Sequence, residues 1–166
     1  MQFFTATNLN WIWCLQSEYH KQIIIEAISH RVKNNQLTVY AFVIMPNHIH
    51  CIWQIHDELT REAFQRDFMK FTSRSILKFM QMNDDPILQQ LKVNAKDRQY
   101  QLWERNSLSV DLFKEDVFIQ KLNYIHNNPL QPKWNLAITP ESYYYSSAAF
   151  YETEKNDFDF LTHYKE

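Results

Sequence analysis

Not one of the 166 residues is glycine. The Gly-rich loops that cradle nucleotide phosphates, and the dinucleotide-binding fingerprint, need close backbone approach that only glycine tolerates. Nucleotide-cofactor folds of those kinds are excluded before any motif is read. What remains is a chain of one-domain length, 45% hydrophobic and 16% aromatic, sufficient to close a core without staples. No internal repeat or linker-like stretch interrupts it. Residues 1–149 are therefore expected to form one domain, with 150–166 a short, loosely attached extension of that domain.

Cys14 and Cys51 fit neither a disulfide framework nor a paired zinc spacing, and read as small buried hydrophobes of a reduced compartment. No signal-like segment opens the sequence, and no apolar run approaches the ~20 residues of a membrane span. These features predict a cytoplasmic protein without a membrane partner. The net charge of −2 offers nucleic acid no global attraction, so any such binding has to come from a local patch.

Aromatic and β-branched residues from Gln2 to Leu15, among them Phe3, Phe4, Trp11 and Trp13, predict a strand interrupted near Asn8–Asn10. Ser17 can cap a helix running through Val32, with Tyr19, Ile23 or Ile24, Ala27 and Ile28 at helical spacing. Leu37–Ile44 and His48–Ile55 read as adjacent antiparallel strands joined by Met45-Pro46-Asn47. A helix from Thr60 to about Met80 carries Phe64, Phe68 and Phe71 on one face and stops at Asn83-Asp84-Asp85-Pro86. Leu102–Phe113 reads as a last strand or hairpin, and Glu115 to about Asn127 as a helix halted by Pro129. Strand, helix, two strands, helix, strand, helix predicts an α+β domain: a ferredoxin-like, RNA-recognition-motif-like antiparallel sheet with helices packed on it.

Three groups of side chains carry chemistry. His48 and His50, two apart in a strand, point to one face and can grip one ion with two imidazoles, while Ile49, Cys51 and Trp53 face the core. In the last long helix Phe118, Leu122 and Ile125 form the buried stripe, and Val117, Lys121, Tyr124 and Asn128 line the neighbouring face one turn apart. Without the histidines, Tyr124 would read as a boundary aromatic and Asn128 as a helix terminator. Arg66, Lys70, Arg74 and Lys78 draw a basic stripe along the second helix, which suits either a phosphate backbone or an ordinary solvated face.

The run Val43-Ile44-Met45-Pro46-Asn47-His48-Ile49-His50-Cys51-Ile52-Trp53 is followed some seventy residues later by Leu122-Asn123-Tyr124-Ile125-His126-Asn127-Asn128-Pro129. Together they resemble the single-tyrosine HUH transposases, especially the REP-associated tyrosine transposases related to insertion-sequence enzymes. Tyr144-Tyr145-Ser146-Ser147-Ala148 looks like the family's closing motif, so the resemblance runs from the first strand to about Ala149. The chain departs from the family after Pro129, where a glycine-containing turn is common and Leu130-Gln131-Pro132-Lys133-Trp134 stands instead.

The resemblance implies the HUH endonuclease plan, a Mg²⁺ or Mn²⁺ site on His48 and His50, and Tyr124 as nucleophile. Asn128 matches the position of a polar third ligand, usually the longer glutamine in insertion-sequence relatives, and His126 is its rival. It further implies a single-stranded or hairpin DNA substrate, a covalent 5′-phosphotyrosine intermediate, and work as a monomer or homodimer. Tyrosine, with a pKa of ~10, is mostly protonated at neutral pH, so the nearby ion must favour the phenolate, or a water or side chain must take the proton. Lys121, one turn before Tyr124, is placed to assist electrostatically and joins the basic stripe as an expected DNA-binding residue. The basic stripe and stacking aromatics such as Trp103 or Trp134 would hold the strand, although Trp103 suits the core better. Two other readings compete: a non-catalytic nucleic-acid-binding domain of the RNA-recognition type, and a hydrolase that uses metal and water.

Overall fold

The computed structural model describes residues 1–56 and 60–166. Its long elements are β1 (Gln2–Thr7), α1 (Glu18–Lys33), β2 (Leu37–Ile44), β3 (His48–Ile55), α2 (Arg61–Met82), β4 (Leu108–Asp111), α3 (Glu115–Asn127) and a short α4 (Ala148–Thr153). The strands form one antiparallel sheet in the order β2-β3-β1-β4, which is the expected ferredoxin-like arrangement. No described helix is long and apolar enough to cross a membrane.

Strand alternation sorts side chains to two faces. Phe4, Ala6, Ile49, Cys51 and Trp53 join Ile24, Ile28, Phe64, Phe68 and Ile76 in a core under α1 and α2. On the other face Phe3, Ala41, Val43 and Ile52 meet Phe118, Leu122 and Ile125 of α3. Burial of those three α3 side chains contributes ~1.5–3 kcal/mol each, which seats the helix on the sheet. A bulge at Tyr40 lets β2 serve both cores: Val39 faces the first, Ala41 and Val43 the second.

Without glycine, the left-handed positions fall mostly to Asn10, Asn35, Asp84 and Asn135, whose short polar side chains tolerate that region. Several expectations shift in detail. The first strand ends at Thr7 and gives way to a 3-10 turn, Leu9–Trp11. Only Leu108–Asp111 of the expected Leu102–Phe113 run is strand, joined by an isolated bridge between Asn8 and Trp103. Tyr19 and Phe71 are exposed; the α2 stripe passes instead through Thr72, whose hydroxyl accepts from Trp103 Nε1 at 3.0 Å. The end of the chain is not loose. Phe158, Phe160 and Leu161 enter the first core, and Thr162 N donates to Val39 O at 3.0 Å.

The closing segment binds the β2 edge. Ile44 N donates to Tyr145 O at 2.9 Å, Ser147 N to Phe42 O at 3.0 Å, and Tyr143 Oη to Ile44 O at 2.8 Å. Edge groups that would otherwise face solvent are thus satisfied within the chain.

Candidate active site

β3 pairs with β1 so that Thr5 lies directly across from His50 and Thr7 from His48. Thr5 Oγ1 stands 2.7 Å from His50 Nδ1, and Asn47 Oδ1 2.7 Å from His48 Nδ1. Asn47 Nδ2 donates to Trp11 O at 3.0 Å, which fixes its amide: Oδ1 is left to accept, so His48 carries its proton on Nδ1. Each imidazole is thereby held by one nitrogen, with Nε2 left for a ligand; metal-binding histidines are oriented in the same way.

The turn that presents His48 is itself clamped. Asn8 N donates to Asn47 O at 2.8 Å and Leu15 N to Pro46 O at 2.7 Å. Trp11, whose carbonyl anchors Asn47, sits at φ 59°, an outlying conformation for a bulky residue that costs ~1–3 kcal/mol.

The two histidines are buried, each 5% exposed, because α3 roofs their side of the sheet. Strand spacing predicts their shared face; the roof comes from tertiary packing. Their ring centroids are 4.8 Å apart, and that of Tyr124 lies 5.1 Å from that of His50. Phe3 stacks beneath His50 at 5.3 Å and meets the Tyr124 edge at 6.1 Å. Tyr124 remains 43% exposed, with Lys121 Nζ 5.8 Å from its ring centroid. The phenol and both imidazoles, far apart in sequence, therefore converge within one chain.

Asn128 continues the α3 path into the 3-10 turn Asn128–Leu130 and is 2% exposed, with Oδ1 lacking any partner. An orphaned buried acceptor is costly unless something meets it. His126 is committed elsewhere: its Nε2 lies 2.9 Å from Ser147 Oγ, and its ring packs on Tyr151. Of the two rivals for third ligand, Asn128 is the one whose buried side-chain oxygen lacks a hydrogen-bond partner and whose side chain acts on His48. Among the described residues no group of three His, Cys, Asp or Glu side chains forms a metal cage. Two imidazole nitrogens and one amide oxygen would nevertheless fit a divalent ion that keeps open positions for substrate.

Burial pushes all three of these imidazoles towards the neutral form that metal binding requires. His48 is pulled down to about 4 by burial, against an opposing effect of the Asn128 side chain, and Lys133 adds to the lowering. His50 falls to about 3, through burial and then the charges of His48, Lys121 and Lys133. Burial lowers His126 to about 4. In the unfolded chain histidine binds its proton near pH 6.5. Between pH 6.5 and about 4 the unfolded state therefore holds more protons, and each ring removes about 1.4 kcal/mol of stability per pH unit of acidification. The contribution is intact above pH 6.5. Thermal melting in chelator should show a steady loss of stability across that window, with about three protons taken up on unfolding. A flat profile would mean that the rings reach solvent.

The expected basic residues divide between locations. Lys121 lies at the site. Arg66, Lys70 and Arg74 line a groove of about 940 Å³ together with Arg98 and Arg105, on the α2 side of the sheet, and Lys78 continues along the exposed helix. The stripe and the histidines do not converge. Trp103 belongs to the core, whereas the Trp134 ring lies 5.5 Å from His48. Asn47 stood in the histidine run without a role assigned to it, and Thr5, Trp11 and Trp13 had no motif to mark them; only the cross-strand register identifies Thr5.

No family model matches the chain, and no curated protein does either. Solved structures do. One described as a REP-associated tyrosine transposase bound to a REP hairpin matches over 89% of this chain and 75% of that one, at 19% identity and a TM-score of 0.59. A protein of Deinococcus radiodurans R1, provisionally named a transposase, matches over 76% of this chain and 89% of its own at 13% identity, with a TM-score of 0.49 that adds nothing to the argument. The chain shares the fold of the first, an α+β arrangement of a four-stranded antiparallel sheet with helices packed on it.

Proposed function

We propose that the chain is a single-tyrosine HUH enzyme of the REP-associated transposase type. It would cut and rejoin single-stranded DNA beside a hairpin, with Mg²⁺ or Mn²⁺ held by His48, His50 and Asn128. The observation that carries this reading is the approach of the Tyr124 ring to His50 beside two imidazoles anchored through Nδ1 and an unpartnered Asn128 Oδ1. The hairpin in the similar structure agrees with the substrate class.

When bound, the ion would supply positive charge beside the non-bridging oxygens of the scissile phosphate. The remaining work falls to the chain. Tyr124 Oη attacks phosphorus, the bond to the 3′ oxygen breaks, and a 5′-phosphotyrosine ester forms. The phenol gives up one proton and the departing 3′ oxygen takes one up. Lys121 stabilises the phenolate electrostatically, and Asn47 and Thr5 keep the imidazoles aimed. Because the ester keeps the energy of the bond it replaces, attack by another 3′-hydroxyl reseals the strand without ATP.

The test is to incubate the protein with single-stranded hairpin oligonucleotides and Mg²⁺ or Mn²⁺. A protein–DNA adduct that survives SDS and disappears with chelator is expected. Cleavage without any adduct would favour water as nucleophile and overturn the reading.

The basic stripe would hold the strand outside the site. Joint replacement of Arg66, Lys70 and Arg74 by alanine should reduce the slope of log affinity against log salt by about two, with each single-strand phosphate contact contributing ~0.7. Fluorescence anisotropy over a salt series measures it; an unchanged slope would return the stripe to an ordinary solvated face.

A further inference from the structure

Two of the five tryptophans project into solvent beside the histidines, and the chemistry above uses neither. Trp11 is 60% exposed with its ring centroid 6.4 Å from His48; Trp13 is 43% exposed and lies 5.7 Å from Trp134. Ring-to-ring contacts then run without a gap from Trp13 to Trp134, His48, His50 and Tyr124, at successive spacings of 5.7, 5.5, 4.8 and 5.1 Å. Lys133 Nζ, 5.2 Å from the Trp134 ring centroid, brings a cation to this track.

The Trp11 backbone is bound to the site. Its carbonyl holds Asn47, which holds His48, and its left-handed conformation turns the chain so that the indole stands at the mouth of the site. Trp11 N closes the turn onto Asn8 O at 3.0 Å. A displayed indole with fixed backbone and a large exposed face is a ready platform for a flat partner. Nucleobases stack on such faces with little regard to sequence, and the flanking lysine suits the phosphate that accompanies each base.

We propose that Trp11 and Trp13 form a stacking subsite for unpaired nucleobases of the strand adjoining the scissile phosphate. The proposal rests on the reading of the histidine–tyrosine site given above and deepens it. The subsite selects single-stranded over duplex DNA at this point, because a paired base has no free face to offer.

The probes are a short oligodeoxyadenylate and a strand of the same length built of abasic residues, with binding measured by anisotropy in chelator so that no strand is cut. Trp11→Ala should weaken binding of the base-bearing strand roughly ten- to hundredfold. Trp11→Phe should restore most of it, and the abasic strand should bind the wild type and Trp11→Ala equally. In the wild type, 2-aminopurine in the strand should lose fluorescence on binding, and lose less with Trp11→Ala. Equal weakening for both strands, or none for either, would overturn the subsite. Melting curves report whether Trp11→Ala folds; if it does not, the same comparison with Trp13→Ala decides. The nucleophile stands on a separate result: base-dependent binding without any adduct would sink the nuclease reading alone, and an adduct with base-independent binding would sink the subsite alone.

Discussion

Tyr124→Phe is expected to abolish the SDS-stable adduct and to lower strand cleavage by about a thousandfold or more, the scale on which loss of a covalent nucleophile acts. The fold should be unaffected. Tyr124 is 43% exposed, and its ring edge on Phe3 and His50 survives removal of the hydroxyl. DNA affinity should change little, because one hydroxyl contributes little to a strand held through phosphates and stacked bases. Gel electrophoresis after denaturation, alongside anisotropy, separates these effects. An adduct of undiminished yield in Tyr124→Phe protein would place the nucleophile elsewhere, and full activity of every kind in that variant would favour the non-catalytic reading.

The second large effect concerns the imidazoles. His48→Ala and His50→Ala should each abolish cleavage while retaining most DNA binding, since Arg66, Lys70 and Arg74 lie on the far side of the sheet. In the wild type a divalent ion at a hundred times its dissociation constant should stabilise the fold by about 2.7 kcal/mol, seen as a rise in Tm. Either substitution should remove that rise. The variants should also lose part of the acid sensitivity, since each removes one ring that folds neutral. If metal still raised Tm in both variants, the ion would have to sit elsewhere.

The sequence reveals the scaffold of the site well. β2, β3 and α3 run between the residues that periodicity and turn signals predict, because a period of two, a Met-Pro-Asn turn and a proline stop are local features. The shared direction of His48 and His50, and the common face of Lys121, Tyr124 and Asn128, follow from the same arithmetic. What local pattern cannot express is which layer meets which. The burial of both histidines depends on α3 crossing their face, and the separation of the basic stripe depends on α2 taking the other. Phe71 and Thr72 show the same limit at one turn of helix: hydrophobicity favours the phenylalanine, but it is Thr72 that meets Trp103. Trp11 and Trp13 read as strand residues by propensity, whereas Asn8 to Trp11 turns out of the sheet. Phe158 and Phe160 return to the core through contacts remote in sequence, which a polar surrounding stretch conceals.

His126 and Ser147 join the far end of α3 to the β2 edge, and the apolar stripe fastens the rest, so the Tyr124 ring and both imidazoles meet within the same polypeptide. On the proposed reading, one copy would own a complete cutting centre with a single attacking phenol, Tyr124, to retain a severed end. Moving a DNA segment with two ends obliges such a protein either to act twice in turn or to recruit a fellow molecule, with each hand-over governed by how long the first ester survives.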